Sequence, residues 1–148
     1  MEAMRVQTFA RTDRHSLAQH SLAVRVVLLT DRPRGPSAQR LATYGSIVDV
    51  EDDVDAALAL IIADPIGYDL FVMDCDAFGG IAAAERALSA LIAADARMRV
   101  ILVSREFDIP AYPMGLRTAV CLPDPVPEAG FRRGFDHVLR DRSKMTMM

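Results

Sequence analysis

The strongest constraint on this chain is a series of five short aliphatic segments between residues 24 and 122. They read "VRVVLLT" (24–30), "SIVDV" (46–50), "LFVMD" (70–74), "RVILV" (99–103) and "TAVCL" (118–122). Their Val, Ile and Leu residues are nearly continuous rather than alternating, which implies strands buried on both faces, as in a parallel sheet. Most of the intervening segments have helical spacing. Residues 37–44 leave room for a short first helix. "EDDVDAALALIIADP" opens on acids suited to the positive end of a helix and places Val54, Leu58, Ile61 and Ile62 on one stripe. Residues 80–95 carry Ile81, Leu88, Leu91 and Ile92 among alanines. The last helix begins near Pro127 and sets Phe131, Phe135, Val138 and Leu139 at i, i+4, i+7 and i+8. Only "REFDIPAYPMGLR" resists, because Pro110 and Pro113 would each remove a helical hydrogen bond. The pattern predicts a doubly wound α/β domain with a five-stranded parallel sheet and an irregular or shortened fourth helix.

Length and composition fit one such domain. Hydrophobic residues make up 51% of the 148 positions and charged residues 25%, an ordinary globular balance that leaves enough apolar surface for a core. We expect a flexible N-terminal extension over residues 1–22, a domain over 23–142 and a disordered tail over 143–148. The longest apolar run, "AALALIIA" (56–63), is too short to span a bilayer. The first residues have no continuous hydrophobic core of the kind a secretory signal needs. A net charge of −3 gives no footprint for nucleic acid, and the basic cluster "FRRGFDHVLRDRSK" is interleaved with acids like a solvated helix face. Cys75 and Cys121 fit no zinc spacing and read as reduced, buried thiols, so a cytoplasmic location is expected.

The chemistry-bearing residues gather at strand ends. In "YDLFVMDCDAFGG" a buried strand delivers Asp74 to its own carboxyl end; Asp31 and Ser104 likewise follow the first and fourth strands. In an open α/β sheet, ligands bind outside the carboxyl ends of the strands, so three such residues predict a shared cleft. Each also has a plainer reading as a helix cap or loop acid. Glu51, Asp52, Asp53 and Asp55 read as helix capping rather than metal ligands. His15, His20 and His137 read as surface residues. The chain has no GxGxxG or GxxxxGKS/T loop and no Ser-His-Asp or Cys-His arrangement. "TDRPRGPS", with Arg32 and Arg34, is a poor phosphate cradle. A small enzyme or ligand-binding domain on such a sheet is therefore the weakest alternative.

Taken in order, "VVLLTD", "DVEDDVDAALALI", "YDLFVMDCDAFGG", "RVILVSRE" and "VCLPDP" resemble the receiver domain of bacterial response regulators, over roughly residues 24–141. The resemblance implies a flavodoxin-like fold with strand order 2-1-3-4-5 and a role in two-component signalling or a phosphorelay. It implies that Asp74 is the phosphoacceptor and Ser104 the hydroxyl that senses the phosphoryl group. Mg²⁺ would be held by Asp31, Asp74 and the main-chain carbonyl of Asp76. The partners implied are a sensor histidine kinase or phosphotransfer protein and a downstream protein, with a possible homodimer; no nucleic acid or membrane partner and no independent enzyme activity are expected. The chain departs from the family pattern at several places. Thr30 replaces the first of the paired acids, Arg105 a small residue, Cys121 the switch aromatic, and "AF" (Ala77-Phe78) the usual "MP". Asp124-Pro125 stands for lysine-proline, and of 17 basic residues only Lys144 is a lysine. Arg105 or Arg32 is the available substitute, or Arg105 pairs with Asp124 or Asp74 and fills the site. Two readings follow: an atypical receiver phosphorylated on Asp74, with a cis peptide before Pro125 as is usual in the family, or a phosphorylation-independent interaction module.

Overall fold

The computed structural model of the chain describes residues 23–115 and 117–147, with side chains through residue 140. The expected N-terminal extension lies outside these residues. In chain order the elements are β1 (Arg25–Leu29), α1 (Pro36–Thr43), β2 (Ile47–Glu51), α2 (Val54–Ala63), β3 (Leu70–Asp74), a 3-10 turn (Cys75–Phe78), α3 (Gly80–Ala93), β4 (Arg99–Ser104), β5 (Ala119–Pro123) and α4 (Glu128–Met147). All five strands are parallel and lie in the order β2-β1-β3-β4-β5, as the flavodoxin-like expectation requires. The last helix continues to Met147, past the domain end at 142 read from the sequence.

Alternate residues of each central strand supply two separate cores, because successive side chains leave a strand on opposite faces. Val27, Leu29, Phe71, Met73, Val100 and Leu102 pack under α2 and α3. Val26, Leu28, Leu70, Val72, Ile101, Val103, Val120 and Leu122 pack under α1 and α4, where Leu41, Phe131, Phe135 and Val138 cover them. Phe131, Phe135 and Val138 therefore sit where their spacing placed them. Of the acid quartet, Asp53 caps α2 by accepting the Ala56 amide at 2.8 Å and Asp55 lies in its first turn, whereas Glu51 is the last residue of β2.

The buried faces of α2 and α3 keep Val54, Leu58, Ile61, Leu88 and Leu91 of the sequence stripes at the core and differ at one residue each. α2 turns Ala57 and Ile61 to the sheet and leaves Ile62 exposed; α3 turns Ala83, Ala84, Ala87 and Leu91 inward and leaves Ile92 exposed. Small side chains let a helix lie close to the sheet, so close approach is gained at alanines and larger residues are left at the margins.

Among its described residues, the proline-bearing segment between β4 and β5 forms no helix. Instead Ala111 makes an antiparallel bridge to Cys121 on the outer edge of β5, with N–H to O distances of 2.9 and 3.0 Å. Arg99, the first residue of β4, is fully buried and donates to the carbonyl of Gly115 and to Thr118 Oγ1. His137 of α4 meets the carbonyl of Pro113 at 2.8 Å, and its ring packs edge-on against Tyr112. The segment is thus irregular in backbone and still anchored at both sheet and helix.

The close alanine face of α3 makes a sharp prediction. Ala84→Leu will destabilise the protein by about 1–3 kcal/mol through overpacking, whereas Ile92→Ala will cost less than about 1 kcal/mol. Urea unfolding of both variants checks this.

Candidate functional site

The register of the parallel strands decides what meets what. Leu29 pairs with Met73, Asp74 with Val103 and Ser104 with Pro123, so β1, β3, β4 and β5 end at one rim of the sheet. The residues that follow are polar because the buried strands stop there. An open cleft of about 280 Å³ lies at this rim. Its walls carry four acids, Asp31, Asp74, Asp76 and Asp124, and two arginines, Arg32 and Arg105. The predicted convergence of strand ends is therefore present. The Asp124–Pro125 peptide at its edge is cis.

Asp74 is partly buried, and each of its carboxylate oxygens accepts one hydrogen bond. Thr30, completely buried after β1, donates its hydroxyl to Asp74 Oδ2 at 2.6 Å. Ser37, in the first turn of α1, donates to Asp74 Oδ1 at 3.1 Å. Burial pushes the Asp74 pKa up, and the Asp124 charge adds to this. The two hydroxyls and Arg32 act in the opposite direction and do not cancel the desolvation. Thr30 also accepts the Arg32 amide at 3.1 Å, so one hydroxyl both shapes the turn after β1 and holds the acid.

A second acid centre lies beside the first. Ser104, also completely buried, donates to Asp76 Oδ1 at 2.6 Å. Asp76 Oδ2 accepts the Arg105 amide at 2.9 Å and the Arg105 Nε at 3.3 Å. Desolvation alone would raise the Asp76 carboxyl, but the Ser104 hydroxyl, the Arg105 amide and the Arg105 guanidinium together hold it below the ordinary range. Arg105 pairs with Asp76, rather than with Asp74 or Asp124 as the sequence reading entertained. Like Thr30, Ser104 accepts the amide two residues on, that of Glu106, at 3.0 Å.

Of the residues singled out from sequence, Asp31, Asp74 and Asp76 line the cleft, and Ser104 reaches it through Asp76. Ser37 was missed, because nothing in "RPRGPSAQR" separates it from a helix cap. For Asp76 the resemblance implies a role for the main-chain carbonyl, whereas here its side-chain carboxylate is the engaged group. Thr30 was counted as a missing acid rather than as the donor it is. Among the described residues, no three or more of His, Cys, Asp and Glu form a group that could hold a metal ion. Cys75 is buried, free and pushed up to about 12 by desolvation and by Asp76, the state of an inert packing thiol. No helix of the described residues is long and apolar enough to cross a membrane. No known protein family matches the chain, and no curated protein does.

The two acids give opposite pH signatures. Asp74, raised on folding, contributes stability below the ordinary value of 3.8 that is lost as pH rises through its folded value. Asp76, lowered, contributes stability above 3.8 that is lost as pH falls through its folded value. Asp74→Asn will therefore raise the thermal midpoint at neutral pH, and the gain will vanish below the ordinary carboxylate range. Asp76→Asn will lower the midpoint at neutral pH. Thermal melts from pH 3 to 8 check both signs.

Proposed function

We propose that this chain is a receiver-like signalling module that works through protein–protein contacts and does not depend on phosphoryl transfer to Asp74. The observation that carries this reading is the pair of hydroxyls on Asp74: both carboxylate oxygens are already acceptors, from Thr30 and Ser37. Thr30 stands where the resemblance to response-regulator receivers places a metal-binding acid. An acyl-phosphate site needs cations to absorb the charge of the incoming group, and Thr30 and Ser37 are neutral donors. Here the strand-end lysine is replaced by Asp124, which raises the Asp74 pKa and so already repels added negative charge. A phosphoryl group would bring roughly two more negative charges. Two like unit charges about 4 Å apart cost on the order of 4 kcal/mol at an effective dielectric of about 20.

Output in this reading passes through a downstream protein that contacts the segment between β4 and β5 together with α4. That segment exposes Ile109 and Met114, apolar side chains that a partner would cover. The chain then belongs to two-component signalling by resemblance of fold and strand-end residues, as a pseudo-receiver.

A second reading keeps Asp74 as a phosphoacceptor, supplied by a histidine kinase or phosphotransfer protein and assisted by Mg²⁺ at Asp31 and Asp74. The cleft favours it: it opens beside Asp74 and carries Arg32 and Arg105, and a guanidinium suits phosphate oxygens. The two readings separate in one experiment. With Mg²⁺ and beryllofluoride, we expect no Asp74-dependent change in amide NMR shifts, and Asp74→Ala will retain partner binding. A saturable shift that disappears in Asp74→Ala would establish the phosphoacceptor reading instead.

A further inference from the structure

We propose that Asp76 is a built-in ligand for the chain after β4: its carboxylate fills the place that Ser104 and Arg105 would offer an external anion, and it holds the 105–115 segment in place without a phosphoryl signal. This deepens the functional reading by assigning how that cleft is regulated, and it rests on that reading only for the role of the segment as output surface.

Two consecutive residues supply the three donors of the clasp. The Ser104 hydroxyl, the Arg105 amide and the Arg105 guanidinium all point at Asp76. A hydroxyl, a backbone N–H and a guanidinium form a donor set suited to an anion, and here the anion is supplied by the protein itself. Glu106 extends the clasp in the other direction. Its Oε2 accepts the Ile81 amide at 3.1 Å, at the N-terminal end of α3, where the first turn has no acid and no side-chain cap of its own. Helix N-termini leave amides unpaired and attract negative charge. Gly80 makes room for this approach: it has φ +77°, and a Cβ there would collide with Glu106 Oε2.

The clasp reaches the rest of the segment through the Ser104 carbonyl. That oxygen accepts the Phe107 amide at 3.4 Å and the Asp124 amide at 3.1 Å, tying the start of the segment to the residue after β5. Phe107 in turn packs against the core beneath α2 and α3. Asp74 takes no part, since its donors come from Thr30 and Ser37. The position that would receive a phosphoryl group and the contact that seats the segment are therefore separate, two residues apart in the chain.

Hydrogen exchange followed by mass spectrometry on the full chain tests this. In Asp76→Ala, amides over 105–111 and at 81 will exchange about tenfold faster or more, while β1 and β3 keep their wild-type rates. Asp76→Asn, which keeps one carbonyl acceptor and loses the charge, will fall between. Asp74→Ala will leave the 105–111 amides unchanged. Wild-type rates in Asp76→Ala, or equal loosening in Asp74→Ala, would overturn the proposal. Should Asp76→Ala fail to fold, Ser104→Ala and Arg105→Ala each remove one arm, and the proposal stands only if both loosen the same amides. None of these results depends on beryllofluoride or partner binding, so the clasp and the functional reading fail separately.

Discussion

A carboxylate drawn out of water at the end of a central strand must be met by donors, and much of the rim of this protein is organised around that demand. Asp74 is placed by β3, whose preceding residues are wholly buried. Thr30 arrives from β1 and Ser37 from α1, so three elements are tied through one side chain. The hydroxyls reduce the desolvation cost without abolishing it, which leaves the acid in tension between burial and solvation. Hydroxyl donors also differ from metal-binding acids in what they permit. They stabilise the carboxylate locally and bring no charge that could accommodate a further anion.

The rim repeats one device. Thr30 after β1 and Ser104 at the end of β4 are both fully buried; each accepts the amide two residues ahead and donates to an aspartate of the β3–α3 junction. One pair holds Asp74 and the other Asp76. The environments then diverge. At Asp74 desolvation outweighs the two hydroxyls, so its pKa rises; at Asp76, nearer the solvent, the Ser104 hydroxyl, the Arg105 amide and the Arg105 guanidinium outweigh desolvation, so its pKa falls. Two acids separated by one cysteine are thereby given different chemistry by their neighbours.

The strands and their order were legible because runs of Val, Ile and Leu carry a strong burial signal, and polar residues mark where each run ends. The break between β4 and β5 was legible from Pro110 and Pro113, since proline removes a donor wherever it stands. What escaped was set by three-dimensional proximity. The burial of Ala57, Ala83, Ala84 and Ala87 carries little hydrophobic signal, so the sequence stripes of α2 and α3 take in Ile62 and Ile92, which are exposed, in place of these alanines. Arg99 opens a strand with a charged side chain, yet it is buried against the carbonyls of the returning chain. At the cleft, residue types were read by comparison with a family pattern, so Thr30 registered as the loss of an acid. Its gain of a bond to Asp74, 44 positions away, required the fold.

The bridge between Ala111 and Cys121 has a consequence for how this protein keeps to itself. An open sheet ends in two unpaired borders, each a template for a strand from another molecule. On the β5 side the protein has used its own backbone as a stopper, with both the N–H and the C=O of Cys121 already taken. On the β2 side the border instead carries Asp49 and Glu51, charges of the kind that discourage lateral growth. By giving up a helix between β4 and β5, the chain gains a plug against runaway sheet extension.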